Sequence, residues 1–252
     1  MIGIYLSGTG NTKHCIEKLV NLIDSTCKVI PLEDDNVIEE IKKNDSIILG
    51  YPVQYSNAPF MVRDFIKINS TIWQGKKVLC VATMGAFSGD GAGCTARLLK
   101  KYGAIILGGL HLHMPDSVCD SKLLKKSMEE NKEIIIKADK KIEQVSKNIK
   151  KGVYPKEGIN IFYHIAGLFG QRLWFYGKTT GYSNKIKINS DCVGCGLCIL
   201  NCPMKNIKVK DKKAVAGNKC TMCYRCISTC PKKAITLLGK KVQEQCRFEK
   251  YI

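Results

Sequence analysis

The sequence predicts an α/β chain in two parts: a doubly wound, five-stranded parallel sheet followed by a small, cysteine-rich α+β unit. Two observations carry that expectation. Over residues 1–152 short, nearly continuous apolar runs alternate with longer amphipathic stretches, which is how buried parallel strands and their crossover helices read. From residue 186 onward, Cys192-x2-Cys195-x2-Cys198-x3-Cys202-Pro203 recurs as Cys220-x2-Cys223-x2-Cys226-x3-Cys230-Pro231, offset by 28 residues, with Ile207 and Ile235 at matching distances. Two like half-units imply local twofold symmetry. A length of 252 residues accommodates one large domain or two unequal ones.

The predicted strands are Ile2–Leu6, Lys28–Pro31, Ser46–Gly50, Lys77–Thr83 and Ala104–Leu112, with a helical pattern after each. In Asn11–Asp24, Cys15, Ile16, Leu19, Val20, Leu22 and Ile23 share one face, while Lys13, Glu17, Lys18 and Asn21 occupy the other. A long, lysine-rich fifth helix is expected from near Asp120, and Gly152 with Pro155 stops it. Residues 153–185 form an aromatic-rich connector holding Phe162, Tyr163, Phe169, Trp174, Phe175 and Tyr176. It reads as a packed linker helix, with partner docking or a membrane surface as the alternative. The cysteine-rich unit spans 186–240, and 241–252 is a tail.

Hydrophobic residues make up 45% and charged residues 25%, which excludes wholesale disorder and fibrous architectures. Forty Lys and Arg against 22 Asp and Glu give a formal charge of +18. Such a balance suits nucleic acid, an anionic surface or an acidic protein. The lysines lack the aromatic interleaving of a single-strand platform, so no nucleic acid is expected and an acidic redox partner is. Met1–Leu6 lacks the basic start and cleavage site of an export signal, which points to the cytoplasm. The longest apolar stretch, from Ile159, is broken by Gln171 and Arg172, so no transmembrane segment is expected.

Three closely spaced thiolates in a tight loop suit three irons of a cubane, and the fourth iron needs a distant cysteine. Paired Cys-x2-Cys motifs also make zinc sites, but eight cysteines in two complete copies argue against zinc. The spacing resembles that of bacterial-type two-cluster ferredoxins. That resemblance implies two [4Fe-4S] clusters whose fourth ligands cross over. One cluster takes Cys192, Cys195, Cys198 and Cys230, and the other takes Cys220, Cys223, Cys226 and Cys202. Gly194 and Gly196 let backbone amides approach the sulfurs.

After the first strand, Ser7-Gly8-Thr9-Gly10-Asn11-Thr12 opens the first helix. Glycines for a tight turn, hydroxyls and free amides at a helix start can hold a phosphate, although such a stretch is also often only a turn. Lys13 stands where a dinucleotide fingerprint needs glycine, and the Gly-Lys-Ser/Thr of a nucleotide triphosphatase is absent. With Gly50-Tyr51-Pro52 and the glycine-rich 85–93 stretch, residues 1–152 resemble the flavodoxin family. Together with 186–240, the chain resembles flavodoxin–ferredoxin fusion electron-transfer proteins of anaerobes.

The flavodoxin resemblance implies FMN, with its phosphate on Ser7, Gly8, Thr9, Gly10, Asn11 and Thr12. The ring would lie between Pro52, Val53, Tyr55 and Asn57 on the second loop and Thr83, Gly85, Ala86, Phe87, Ser88 and Gly89 on the third. Tyr51, Tyr55 and Phe87 are candidates to stack on it. The third loop departs from many flavodoxins in carrying a single acid, Asp90. The function implied is electron transfer between the clusters and FMN, linking a low-potential donor such as ferredoxin to a flavin-dependent acceptor. The alternative is an FMN-dependent reductase of a quinone, nitro compound or dioxygen, for which Tyr55, Asp90, His113 and Asp116 are the available proton donors. A third reading has structural clusters in a nucleic-acid protein. His111 and His113 alternate along the fifth strand and read as packed or, less commonly, metal-binding. Cys15, Cys27, Cys80, Cys94, Cys119 and Cys246 show no paired spacing and read as small apolar residues, Cys94 and Cys119 being worth a reactivity test.

Overall fold

The computed structural model describes residues 1–175, 181, 182 and 184–252. Strands β1 (Ile2–Tyr5), β2 (Val29–Pro31), β3 (Ser46–Pro52), β4 (Lys77–Met84) and β5 (Ile105–His113) form one sheet in the order β2-β1-β3-β4-β5. All neighbours in it are parallel. The chain changes winding direction between β1 and β3, which leaves a crevice beyond the carboxyl ends of those strands.

Helices α1 (Asn11–Ile23) and α5 (Met128–Lys150) cover one face, while α2 (Val37–Lys43), α3 (Phe60–Ile68) and α4 (Gly91–Lys101) cover the other. Gly3 and Gly50 let α1 settle directly on the sheet, because a Cβ on Gly50 would meet the Ile16 side chain at 2.4 Å.

The fifth helix starts eight residues later than the periodicity predicts. Ser127 and Glu130 form a reciprocal capping box, Glu130 N to Ser127 Oγ at 3.1 Å and Ser127 N to Glu130 Oε2 at 2.7 Å. Residues 114–127 are withheld from the helix because they form a strap that grips the C-terminal unit, as described below.

Residues 153–160 run beside β5, Gly109 N donating to Pro155 O and Glu157 N to Gly109 O, both at 2.9 Å. Helix α6 (Ile161–Gly167) and a π-helical turn (Leu168–Arg172) follow. Arg172, Arg97 and His164 all pair with the fully buried Asp90, which ties this segment to the start of α4. Phe162, Phe169 and Trp174 point outward. Tyr176 lies outside the described residues.

In the C-terminal unit, β6 (Lys187–Ile188) pairs antiparallel with β9 (Ile235–Thr236), and β7 (Ile207–Lys210) forms a hairpin with β8 (Lys213–Ala216). Helices α7 (Leu197–Asn201) and α8 (Arg225–Thr229) stand at the same 28-residue offset as the cysteines. The left-handed backbone positions obey the offset too: Gly194 with Met222, Gly196 with Tyr224, and Lys205 with Lys233. The tail then returns to the first domain. Phe248 N donates to Thr9 O at 2.8 Å, the Phe248 ring stacks on His14, and Tyr251 is buried against the α1–α5 layer. Among the described residues, no helix is long and apolar enough to cross a membrane.

Candidate functional site

A cavity of about 270 Å³ opens at the switch point of the sheet. Its floor is the loop between β1 and α1. Gly10 precedes α1 in a left-handed conformation (φ 98°), and no side chain caps the first turn. The amides at the start of α1 are therefore available, at the positive end of the helix dipole. The loop hydroxyls are held in place: Thr9 Oγ1 lies 2.8 Å from Ser117 Oγ, and Thr12 Oγ1 lies 2.8 Å from Thr83 Oγ1. Each keeps spare bonding capacity, because a hydroxyl carries one donor and two acceptor lone pairs. Asn11 Nδ2 donates to Pro115 O at 2.7 Å, while its Oδ1 is buried with no partner among the described residues. A buried acceptor left open beside uncapped amides fits a ligand carrying both a phosphate and hydroxyls, as FMN does.

Most of the expected flavin residues line this cavity: Ser7, Gly8, Thr9, Asn11 and Thr12 from the first loop, Pro52, Val53 and Tyr55 from the second, and Thr83, Gly85, Ala86 and Phe87 from the third. Four do not. Gly10 faces the tail, where a Cβ would meet Phe248 at 2.8 Å. Asn57 closes a tight turn with Gln54. Ser88 turns toward His111 at 3.3 Å, and Gly89 packs against Gly167. Tyr51 is not a stacking candidate, since it is fully buried in the core and donates to Gly91 O at 2.9 Å. Tyr55 reaches the cavity with one ring face already stacked on Phe175, centroids 4.5 Å apart. Asp90 is consumed by its salt bridges. Asp116 does line the cavity, and burial pushes its carboxyl above the usual range.

The opposite wall comes from the C-terminal unit: Met222, Cys223, Tyr224 and Leu238. The contact is backbone on backbone, because a Cβ on Gly8 would lie 1.7 Å from the Cys223 carbonyl oxygen. Arg225 locks this seam, donating from Nη2 to Ser7 O at 2.7 Å and from Nε at 3.2 Å, and pairing with Glu33 at 2.6 Å. Gln54 Nε2 donates to Thr221 O at 2.8 Å, and Asp120 on the strap accepts from Tyr224 and from the amides of Leu237, Leu238 and Gly239.

The eight motif cysteines fall into two sets around two small cavities. Cys192, Cys195, Cys198 and Cys230 surround one, and Cys202, Cys220, Cys223 and Cys226 the other. Backbone amides aim at the sulfurs, Ala214 N to Cys192 at 3.4 Å and Met222 N to Cys220 at 3.3 Å, then, as a pair related by the 28-residue offset, Asn206 N to Cys202 at 3.3 Å and Ala234 N to Cys230 at 3.4 Å. Such donors stabilise thiolates. Among the described residues, no three His, Cys, Asp or Glu side chains converge on a point suited to a single metal ion. Four thiols line each of the two small cavities, a donor set that suits an iron–sulfur cluster.

A doubly wound domain with an anion loop at its switch point, closed by a unit carrying two cysteine quartets, defines a flavin and iron–sulfur electron-transfer protein. Comparison with known families gives the particular combination. Residues 2–108 match the flavodoxin domain family and residues 184–231 match the 4Fe-4S dicluster domain family, so the chain is a fusion of the two. Among solved structures it is similar to the two-electron-reduced flavodoxin of Megasphaera elsdenii, at 26% identity over 46% of this chain and 89% of that one, TM-score 0.42. It is also similar to flavodoxin 2 of Bacillus cereus, at 19% identity over 60% and 97%, TM-score 0.44. The Fusobacterium nucleatum flavodoxin bound to flavin mononucleotide aligns at 22% identity over 60% and 98%, TM-score 0.42. No curated protein matches the chain.

Of the two strand-end histidines His111 takes the packing role expected, whereas His113 is exposed. His111 lies under Tyr163 and beside Ser88 and the Ala92 amide, and burial holds it well below its ordinary value, at about 4. His113 Nε2 is 2.5 Å from Gly85 O. Because His111 titrates near 6.5 when unfolded, the stability it contributes is complete above that pH and is lost as pH falls toward 4. Between pH 7 and pH 5 the native protein is expected to lose about 2 kcal/mol more than His111→Gln, which is about 4–8 °C in thermal midpoint. Equal losses in the two proteins would remove His111 from the balance.

Proposed function

We propose that the chain passes electrons between a redox partner and one FMN through two [4Fe-4S] clusters arranged as an outer and an inner station. A flavin exchanges one or two electrons and each cluster exchanges one, so the protein's task is placement and tuning rather than bond chemistry. The observation that carries this reading is Cys223, which belongs to one cysteine quartet and also lines the cavity whose floor is the phosphate loop. Gly8, Arg225 and Gln54 hold these two surfaces in contact, so transfer between them does not depend on diffusion.

The other quartet faces outward. Cys195 is exposed, with Val193, Leu197 and Leu200 beside it. Lys210, Lys212 and Lys213 on the β7–β8 hairpin, and Lys232 and Lys233 after Cys230, are exposed in the same unit. An apolar patch around a thiol with a lysine surround suits an acidic redox protein such as a ferredoxin or flavoprotein. Asp116 favours a second reading, in which the FMN reduces a quinone, nitro compound or dioxygen. Its half-buried carboxyl, pushed above the usual carboxylate range by burial, is the one acid among the described residues that lines the cavity.

Purification without oxygen should yield roughly one FMN and about eight iron and eight sulfide per chain. Zinc in place of iron, or iron without flavin, would overturn the proposal. Electron exchange with acidic redox proteins that fails to saturate with any small oxidant separates the carrier from the reductase.

A further inference from the structure

Cys119 and Cys246 stand 127 residues apart and belong to no motif, yet the fold sets them side by side. Cys119 lies on the strap between β5 and α5, Cys246 in the C-terminal tail, and both are buried. Cys246 N donates to Cys119 Sγ at 3.4 Å, while the Cys119 thiol faces Ser117 O at 3.4 Å and the Cys246 thiol faces Glu244 O at 3.7 Å. Lys125 Nζ sits 2.9 Å from Cys246 Sγ and is held by Glu244 O at 3.4 Å. On the other side, Ser228 Oγ lies 3.0 Å from Cys119 Sγ.

A thiol that merely fills space gains nothing from an ammonium group drawn onto its sulfur. Cys15 and Cys80 show that ordinary case, with burial alone dominating and pushing both thiols up. Cys94 has Arg172 on its sulfur at 2.9 Å but stands without a second thiol beside it among the described residues. The 119–246 site has both parts. Its asymmetry is also chemical: the neighbouring Cys119 and then Lys125 lower the Cys246 thiol, whereas the neighbouring Cys246 and burial push Cys119 up. That division gives one attacking sulfur and one resolving sulfur.

We propose that Cys119 and Cys246 form a peroxide-reactive dithiol, with Cys246 as the nucleophile and a strap-to-tail disulfide as the product. The Cys246 thiolate attacks one oxygen of hydrogen peroxide, the O–O bond breaks, and Cys246 becomes a sulfenic acid while hydroxide leaves and is protonated to water. Cys119 sulfur then attacks the Cys246 sulfur, its proton leaves with the sulfenic oxygen as a second water, and the disulfide forms. Two thiols lose two electrons and two protons, and one peroxide becomes two waters.

The test uses the full-length protein purified without oxygen with its cofactors bound, treated with one equivalent of hydrogen peroxide, alkylated and mapped by mass spectrometry. The expected product is a Cys119–Cys246 peptide pair lighter by two hydrogens, formed while the iron–sulfur absorbance is retained. In Cys119→Ser, dimedone should label Cys246. In Lys125→Met, disulfide formation should slow at least tenfold with unchanged iron content. Alkylation of both thiols after treatment, loss of iron–sulfur absorbance before any disulfide appears, or an undiminished rate in Lys125→Met would each overturn the proposal.

Discussion

Gly8→Ala is expected to strip the flavin from the protein while leaving iron in place. The added carbon would fall 1.7 Å from the Cys223 carbonyl oxygen and 2.8 Å from its carbon, far inside any tolerated contact. Both sides of that contact are backbone, so no rotamer change relieves it. The phosphate loop and the cysteine loop must separate by an ångström or more, against the two Arg225 bonds to Ser7 O. Overpacking of this kind costs about 1–3 kcal/mol. The larger effect is on the cavity, whose floor and far wall are the two surfaces being separated. Flavin retained per chain is expected to fall at least tenfold, with iron unchanged and the thermal midpoint lower by a few degrees. Ser7→Ala leaves the seam untouched and is expected to retain far more flavin than Gly8→Ala. Full flavin in Gly8→Ala would mean that the two loops are not held in contact in solution.

The strands were legible because a doubly wound sheet buries both faces, so each strand is an apolar run whatever its neighbours are. The loop that opens the first helix was legible for a local reason, since its glycines and hydroxyls sit within six residues at a helix start. The crossed grouping of cysteines followed from the family resemblance, not from any local pattern. What stayed hidden depends on contacts between residues far apart in the chain. No local pattern says that Asp120 belongs to a strap instead of a helix, although Ser127 and Glu130 carry a capping-box signature that places the helix start correctly. Tyr51 follows a glycine at a strand end as a flavin residue might, but the same position also points into the core. The cavity wall supplied by the C-terminal unit did leave a trace. Offset by 28 residues, Gly194 and Gly196 correspond to Met222 and Tyr224, all four in left-handed conformations. Placing side chains where the backbone favours glycine costs about 1–3 kcal/mol each, and these are two of the residues that face the first domain. A departure from the repeat at strained positions marks the surface where symmetry is broken by function.

Asp120→Ala is expected to undock the iron–sulfur unit. The buried carboxylate accepts from Tyr224 OH at 2.9 Å on one oxygen, and on the other from the amides of Leu237, Leu238 and Gly239 at 2.7, 3.0 and 3.0 Å. Truncation leaves three amides and a phenol without an acceptor, each costing about 1–3 kcal/mol if no water reaches it. Water entry lowers the sum, so a loss of about 3–5 kcal/mol is expected. Asp120→Asn keeps one oxygen for the three amides but loses the charge and puts an NH2 where Tyr224 OH donated. Tyr224 must then turn to accept, and the effect should be about 1–2 kcal/mol. Tyr224→Phe removes one bond of the four and should be milder still. The order Asp120→Ala, Asp120→Asn, Tyr224→Phe separates a docking role from simple core packing, in which Tyr224→Phe would match the others. Because Tyr224 and Leu238 also line the cavity at the switch point, undocking exposes the cavity along with the strap. Limited proteolysis between 114 and 127, followed against flavin fluorescence, should therefore show cleavage and flavin release rising together in Asp120→Ala. Cleavage without flavin release would mean that the first domain holds the flavin by its own loops, leaving the seam to set only the distance to the inner cysteine quartet.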